Sequence, residues 1–302
     1  VALAWLRLMA GRAGALLELT RPTNLVLGAA TVPLGAAMVL GDDWTSEGLT
    51  ATVLFALSVV AFMGAGNAMN DLRDVEVDKV VHPHRPLPSG RVSRPVAARF
   101  TAGLWLISLL TLILGTANLA VFMPEAPMLA PVIIWVLAAV LMMAYDHGPA
   151  LKDRGLVGNV SISVLVGAVV LFGASAAGAW SHPVALAAAT VAALVNLARE
   201  IVKDVHDLEG DEGHRSTLPM AVGAERARMI AYVCAMLGLV VLYLPYWRGP
   251  LLYPQILLQV PAILLIITTN GPLYKGHDAL VVGRLRLGML AGLFGFLVSV
   301  LM

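Results

Sequence analysis

The sequence predicts an all-α, polytopic membrane bundle of nine transmembrane helices. Three observations carry that prediction. The first is composition: of 302 residues, 59% are hydrophobic and only 13% charged. A soluble domain carries about 25% charged residues, so this chain has too little polar surface to cover a globule in water. The second is a series of nine apolar runs, each close to the ~20 residues a helix needs to cross a hydrocarbon core. The third is the placement of the basic residues, which alternates with the runs.

In chain order the runs are 22–40, 50–70, 96–117, 128–145, 156–178, 183–203, 226–247, 251–269 and 283–302. The first follows Arg7, Arg12 and Arg21, and no short apolar stretch with a cleavage site precedes it, so no cleavable signal peptide is expected. The second, fifth and sixth contain GAGNAM (64–69), GASAAGA (173–179) and ALAAATVAAL (185–194), small residues that let helices approach closely. The seventh holds the single Cys234, which rules out an intramolecular disulfide and reads as a packed core residue. The eighth is interrupted by Pro261, tolerable where neighbouring helices satisfy the freed carbonyl.

Of the 20 Lys and Arg, 19 lie in the N-terminal arm, in the loops after the even-numbered runs, or at the adjoining helix ends; Arg248 is the exception. The positive-inside rule then places the N-terminus in the cytoplasm and, with nine spans, the C-terminus outside. The acidic residues do not follow from that rule. Asp42, Asp43, Glu47 and Glu125 fall outside, and the other 15 share the cytoplasmic side with the bases. Something at that face gathers carboxylates.

Their pattern is a repeat. NDLRDVEVD (70–78) and KDVHDLEGD (203–211) both carry Asp at relative positions 0, 3 and 7, and an offset of 133 residues relates Asp71, Asp74 and Asp78 to Asp204, Asp207 and Asp211. HRPLP (84–88) follows the first and HRSTLP (214–219) the second. Each motif continues an even-numbered apolar run. This predicts a single integral-membrane domain over 1–302 with an internal pseudo-repeat, its motifs at 70–90 and 203–219. On a helix, positions 0, 3 and 7 share a face, as do 70, 74 and 78. Three carboxylates on one face repel unless a cation lies among them, and two such faces opposed would form an all-oxygen cage. Hard divalent ions choose oxygen; Mg²⁺ binds a few carboxylates and bridges to phosphates. Ordinary solvated loop charges are the bland alternative, but they do not explain the repeated spacing. DLEGDEG lacks the length and terminal Glu of a calcium loop. His82, His84, His206 and His214 read as polar neighbours or phosphate contacts of the carboxylates, a His-based metal site being the weaker alternative.

With these residues in view, the chain resembles the UbiA superfamily of intramembrane prenyltransferases. The likeness rests on NDLRDVEVD with HRPLPSGRVS, on REIVKDVHDLEGD with HRSTLP, on ELTRPTNLVLG (18–28) and on YDHGPALKDRGLVGN (145–159), and it spans essentially the whole chain. The resemblance implies nine helices around a central cavity, a cytoplasmic cap carrying both motifs, and two Mg²⁺ ions holding the pyrophosphate of an isoprenyl donor. It implies one metal-facing row of Asn70, Asp74 and Asp78 and another of Asp207 and Asp211, with Asp71 and Asp204 as ligands or supporting groups. Lys152 and Arg154 match the family's basic pyrophosphate contacts, though positive-inside anchoring would also place them there. Asn24 is expected to face the cavity, since a lone amide facing lipid is costly. Asn159 and Asn196 fit the same argument or hydrogen-bond between helices.

The implied chemistry is ionisation of an allylic pyrophosphate. Two Mg²⁺ with Lys152 and Arg154 would stabilise the leaving group, and an apolar pocket would keep water from the cation. Tyr145 either stabilises that cation with its ring or is an interfacial aromatic. The second motif is most similar to those of the digeranylgeranylglyceryl phosphate synthase branch. That implies geranylgeranyl transfer to geranylgeranylglyceryl phosphate at the cell membrane, in archaeal ether-lipid biosynthesis. The lipid acceptor's phosphate would call on Arg85, Arg91, Lys203 and Arg215. Prenylation of an aromatic acceptor, 4-hydroxybenzoate or a naphthoate, is the alternative. A cation-coupled transporter is a distant one, because the carboxylates lie at helix ends and not at the midplane. The partners expected are donor, acceptor and membrane lipid, with no nucleic acid and no protein partner. No Ser-His-Asp triad, P-loop or haem signature is visible.

Overall fold

A computed structural model of the chain describes residues 11–208 and 216–302. Within them every extended element is a helix. They run α1 (Arg12–Leu19), α2 (Pro22–Leu40), α3 (Ser46–Arg73), α4 (Val75–Val81), α5 (Arg94–Phe122), α6 (Leu129–Asp146), α7 (Leu156–Ala176), α8 (Pro183–His206), α9 (Leu218–Val222), α10 (Ala224–Trp247), α11 (Val260–Ile267), α12 (Asn270–Tyr274) and α13 (Asp278–Leu301). Tight 3-10 turns occupy Leu151–Asp153 and Tyr253–Gln259. Nine stretches among the described residues are long and apolar enough to cross a membrane, and they coincide with the nine runs expected. The chain is a multi-pass membrane protein.

The second span outruns its apolar window. The α3 helix has 28 residues, about 42 Å at 1.5 Å per residue, against roughly 30 Å of hydrocarbon. Its surplus carries Asp71 past the apolar run, which ends at Asn70, on the same rod. The eighth span differs from expectation. It consists of the 3-10 turn Tyr253–Gln259, α11, a break at Thr268 and Thr269, and α12. Pro261 does not interrupt a helix. It is the second residue of α11, where a missing N–H costs nothing because the first turn has no intrahelical acceptor.

The chain divides into two compact units, Val1–Pro33 with Ser46–Pro124, and Leu34–Thr45 with Glu125–Met302. In the first unit α3 lies along α5. Ser58 and Ser108, both fully buried, each donate to the other's carbonyl at 2.8 and 2.9 Å, which satisfies two hydroxyls inside an apolar interface. Phe62 meets Trp105 edge-to-face at 4.9 Å. In the second unit α8 is the hub, packed against α7, α10 and α13. Its Val184, Ala188, Val191, Ala192, Val195, Ala198 and Ile201 are almost wholly buried, the small side chains allowing close approach on several sides. A buried polar knot ties α10 and α13 to the eighth span. Tyr246 Oη lies 2.9 Å from Ser299 Oγ and accepts from Gln259 Nε2 at 2.9 Å.

Candidate functional site

The first acidic motif is built by a turn, two helices and a pinned loop. Between α1 and α2 the chain reverses at Arg21, a non-glycine residue at φ +54°, a conformation that costs roughly 1–2 kcal/mol. Asn67 on α3 donates to the Thr20 carbonyl at 2.8 Å and holds that reversal against the helix. The Arg21 guanidinium then reaches Asp71 at 2.7 Å. Asp71 is almost fully buried, so Arg21 supplies the counter-charge it needs. Beyond α4, Leu87 and Val92 bury themselves against Ala15, Leu19, Ala68, Val75 and Ala97. That anchors the 82–93 loop so that Arg85 meets both carboxylate oxygens of Asp78, at 2.9 and 2.8 Å, with Asp71 3.8 Å away. Arg91 grips Glu18 on α1 at 2.7 and 3.0 Å, and this bond raises the arginine above its ordinary pKa.

The expected single helical face is corrected in one respect. The α3 helix ends at Arg73, and Asp74 stands at a kink before α4, at φ −88° and ψ 10°. The i to i−4 bonds nevertheless persist through it, from Asp74 N–H to Asn70 O at 3.0 Å and from Asp78 N–H to Asp74 O at 2.8 Å. Asn70, Asp74 and Asp78 therefore follow one another on successive turns, spread over two helices. Aspartate is a weak helix former and suits such a joint.

The second motif has the same joint. Asp207 ends α8 at φ −91° and ψ 5°, and its N–H bonds to Lys203 O at 2.9 Å. Asp207 and Lys203 are exposed, whereas Asp204 is half-buried and accepts from Asn159 Nδ2 on α7 at 2.7 Å. One turn further along, Ser163 Oγ donates to the Asn159 carbonyl at 2.6 Å and accepts from Asn196 Nδ2 at 3.1 Å. Arg199 Nε reaches Asn196 Oδ1 at 3.2 Å. Asn159 and Asn196 thus bond between helices, and Asn159 also orients the motif. Asp211, His214 and Arg215 lie outside the described residues.

The loop between α6 and α7 holds the basic pair. Lys152 lies in the 3-10 turn, its side chain 95% covered, with its ammonium 3.3 Å from Asp146, itself 1% exposed at the end of α6. Gly155 takes φ +52°, and a Cβ there would lie 2.8 Å from Ser216 O; at Gly158 a Cβ would lie 2.6 Å from Leu151 O and 3.1 Å from Lys152 Cα. Ser216, which follows the second motif, donates to Asp153 O at 3.3 Å and bridges Arg154. The loop carrying Lys152 and the tail of the second motif are therefore fastened together. Arg154 is exposed and Tyr145 half-buried. Asn24 lies exposed on the first turn of α2.

Asp146 and Arg21 escaped the sequence reading. Both lie in stretches that carry the family resemblance, 18–28 and 145–159, but neither has a role assigned by it. Asp146 could have been found, because an acidic residue at a helix C-terminus opposes the helix dipole. Arg21 could not, because its left-handed turn is invisible in sequence.

The donors suit Mg²⁺ in kind: Asn70 and Asp74 offer hard oxygens on successive turns, and Asp207 another at an exposed helix end. Among the described residues no three His, Cys, Asp or Glu side chains form a ready cage, and Arg85 holds both oxygens of Asp78.

Comparison with known proteins bears directly on this arrangement. The model of the UbiA prenyltransferase family matches residues 19–277. A digeranylgeranylglyceryl phosphate synthase from Methanopyrus kandleri is 37% identical over 95% of this chain and 99% of its own. The synthase of Methanoculleus marisnigri is 31% identical over 94% and 98%. Among solved structures, one of a digeranylgeranylglyceryl phosphate synthase superposes with a TM-score of 0.76 at 26% identity, covering 96% of this chain and 99% of that one. A UbiA homologue from Archaeoglobus fulgidus, solved with GPP and Mg²⁺, shares the fold at a TM-score of 0.62 and 18% identity, over 95% and 99% of the two chains. Nine membrane-crossing stretches among the described residues, two acidic joints of like geometry and a family match over most of the length agree: this chain is a prenyltransferase belonging to the UbiA family.

Proposed function

We propose that the protein transfers a geranylgeranyl group from geranylgeranyl diphosphate to the free hydroxyl of geranylgeranylglyceryl phosphate, forming an archaeal ether-lipid precursor. The observation that carries this is the near end-to-end similarity to synthases of that name, 37% and 31% identical over 95% and 94% of the chain. In the reaction the allylic C1–O bond to pyrophosphate breaks, and the acceptor oxygen bonds to C1. The hydroxyl proton goes to a base or to the departing pyrophosphate. The products are the ether and inorganic pyrophosphate.

Two Mg²⁺ ions would draw on the oxygen donors of both motifs: Asn70 and Asp74 in the first, with Asp78 shared with Arg85, and Asp207 and Asp211 in the second. When bound they neutralise the pyrophosphate and favour its departure. Asp71 serves the first motif by fixing Arg21, and Asp204 serves the second through Asn159. Lys152 and Arg154 hold the leaving group. The burial of Lys152 supports this role, because a charge in a dry setting acts more strongly than one in water. Tyr145, one residue from Asp146, faces either the cation or the interface. Arg85 and Arg215 are cationic groups for the acceptor phosphate, with Lys203, and Asn24 lines the donor path. The side that carries 19 of the 20 basic residues is the cytoplasmic one, so both motifs work there and the C-terminus lies outside.

The test offers purified protein radiolabelled geranylgeranyl diphosphate with each acceptor in turn and identifies products by mass spectrometry. Digeranylgeranylglyceryl phosphate is expected. Prenylation of 4-hydroxybenzoate or a dihydroxynaphthoate, with no ether-lipid product, overturns the acceptor and leaves the prenyl-transfer chemistry standing.

A further inference from the structure

We infer that Asp146 is a positioning residue for the donor: its carboxylate holds the Lys152 ammonium where the pyrophosphate is bound. The inference rests on the proposed role of Lys152. Asp146 is the last residue of α6 and 1% exposed, and Lys152 is 5% exposed with its Nζ 3.3 Å away. Neither charge suits its local setting. A carboxylate at a helix C-terminus meets the negative end of the dipole. A buried ammonium loses hydration and needs a counter-charge beside it. Each resolves the other's problem, and a chain that breaks two local preferences at one point commonly does so at a functional site.

The backbone around Lys152 is equally constrained. Gly158 packs against Leu151 and the Lys152 Cα, and Ser216 fastens Asp153. Ala150, just before the 3-10 turn, is held at φ 49° in the left-handed region. A fixed backbone still leaves four rotatable bonds in the lysine side chain, and the carboxylate removes that freedom. Lysine has three N–H donors, so one ammonium can be shared between Asp146 and a pyrophosphate oxygen.

The experiment compares wild type, Asp146→Asn, Asp146→Glu, Lys152→Ala and the double variant Asp146→Asn/Lys152→Ala. Donor and acceptor KM, kcat and melting temperature are read for each, with calorimetric binding of inorganic pyrophosphate. Asp146→Asn keeps the shape and removes the charge. It is expected to raise donor KM and the pyrophosphate Kd by roughly tenfold, about 1.4 kcal/mol, with acceptor KM unchanged. Asp146→Glu, which shifts the charge by one methylene, gives an intermediate rise. In the Lys152→Ala background, Asp146→Asn adds less than about twofold, because the group it positions is gone. A purely structural ion pair would lower melting temperature and active fraction and leave donor KM unmoved, and that result overturns the inference. So does an equal effect of Asp146→Asn in both backgrounds. If Asp146→Asn does not fold, Asp146→Glu decides: a rise in donor KM alone supports the inference and an unchanged one overturns it. If Lys152→Ala leaves donor binding intact, the proposed role of Lys152 fails and takes this inference with it, whereas a loss there with none at Asp146 removes the inference alone.

Discussion

The two acidic motifs have the same spacing and the same backbone joint, yet their carboxylates have different neighbours. Asp74 and Asp207 stand at helix ends with nearly equal angles, φ −88°, ψ 10° and φ −91°, ψ 5°. In the first motif, arginines meet the flanking aspartates, Arg21 at Asp71 and Arg85 at Asp78. In the second, Asp204 receives a neutral amide from Asn159. A guanidinium cancels charge, whereas an amide orients the carboxylate it donates to. Spacing therefore sets where the carboxylates stand, and their neighbours set how much negative charge is left to attract a cation. In both motifs the central aspartate, at the joint, is the one the backbone singles out.

The largest expected effect follows from that shared joint. Asp74→Ala and Asp207→Ala each abolish transfer in a steady-state assay while the protein stays inserted and folded. A rate within about tenfold of wild type for both, some 1.4 kcal/mol, is too small for the loss of a metal donor at the reacting centre and breaks the equivalence of the motifs. Next comes the contrast in neighbours. Arg21→Gln leaves the buried Asp71 with only the more distant Arg85, 3.8 Å away, and lowers stability by about 3 kcal/mol. Asn159→Ala removes one hydrogen bond to a half-buried carboxylate and costs less, about 1.5 kcal/mol. Thermal unfolding in detergent ranks the two, and the reverse order would show that the arginine does not act as counter-charge. Gly158→Ala is smaller and local. Its methyl must displace Leu151 or the Lys152 backbone, so donor KM rises several-fold, up to about tenfold, with acceptor KM unchanged. The smallest effect is at Glu76, exposed on α4, where the hydrogen bond from Lys79 holds the carboxyl below the usual glutamate range. A depressed pKa gives stability that is present above the unfolded value and lost as pH falls through the folded one. Since the group is fully exposed, Glu76→Gln leaves the melting temperature at neutral pH unmoved.

The spans were legible because each needs only an apolar run of the right length, and the motif ends because charge stops so abruptly there. The joint at Asp74 was not, since periodicity places 70, 74 and 78 on one face whether the rod is straight or kinked. The eighth span was misread at Pro261 because a proline that begins a helix and one that breaks a helix look alike until the preceding turn is known. Lys152 was found through its motif. Its partner Asp146 is one of many carboxylates on the basic side, and the sequence signal that sets it apart is its place at a helix C-terminus, against the dipole. Arg21 depends on a left-handed turn held by Asn67, a contact between residues 47 apart in sequence.

The most direct measurement is the number of divalent ions bound. Mn²⁺, a paramagnetic substitute for Mg²⁺, can be titrated into the purified protein with inorganic pyrophosphate present and followed by electron paramagnetic resonance. The account predicts two ions per wild-type chain, and fewer than two for Asp74→Ala and for Asp207→Ala alike. Wild-type stoichiometry and affinity in both variants would contradict it.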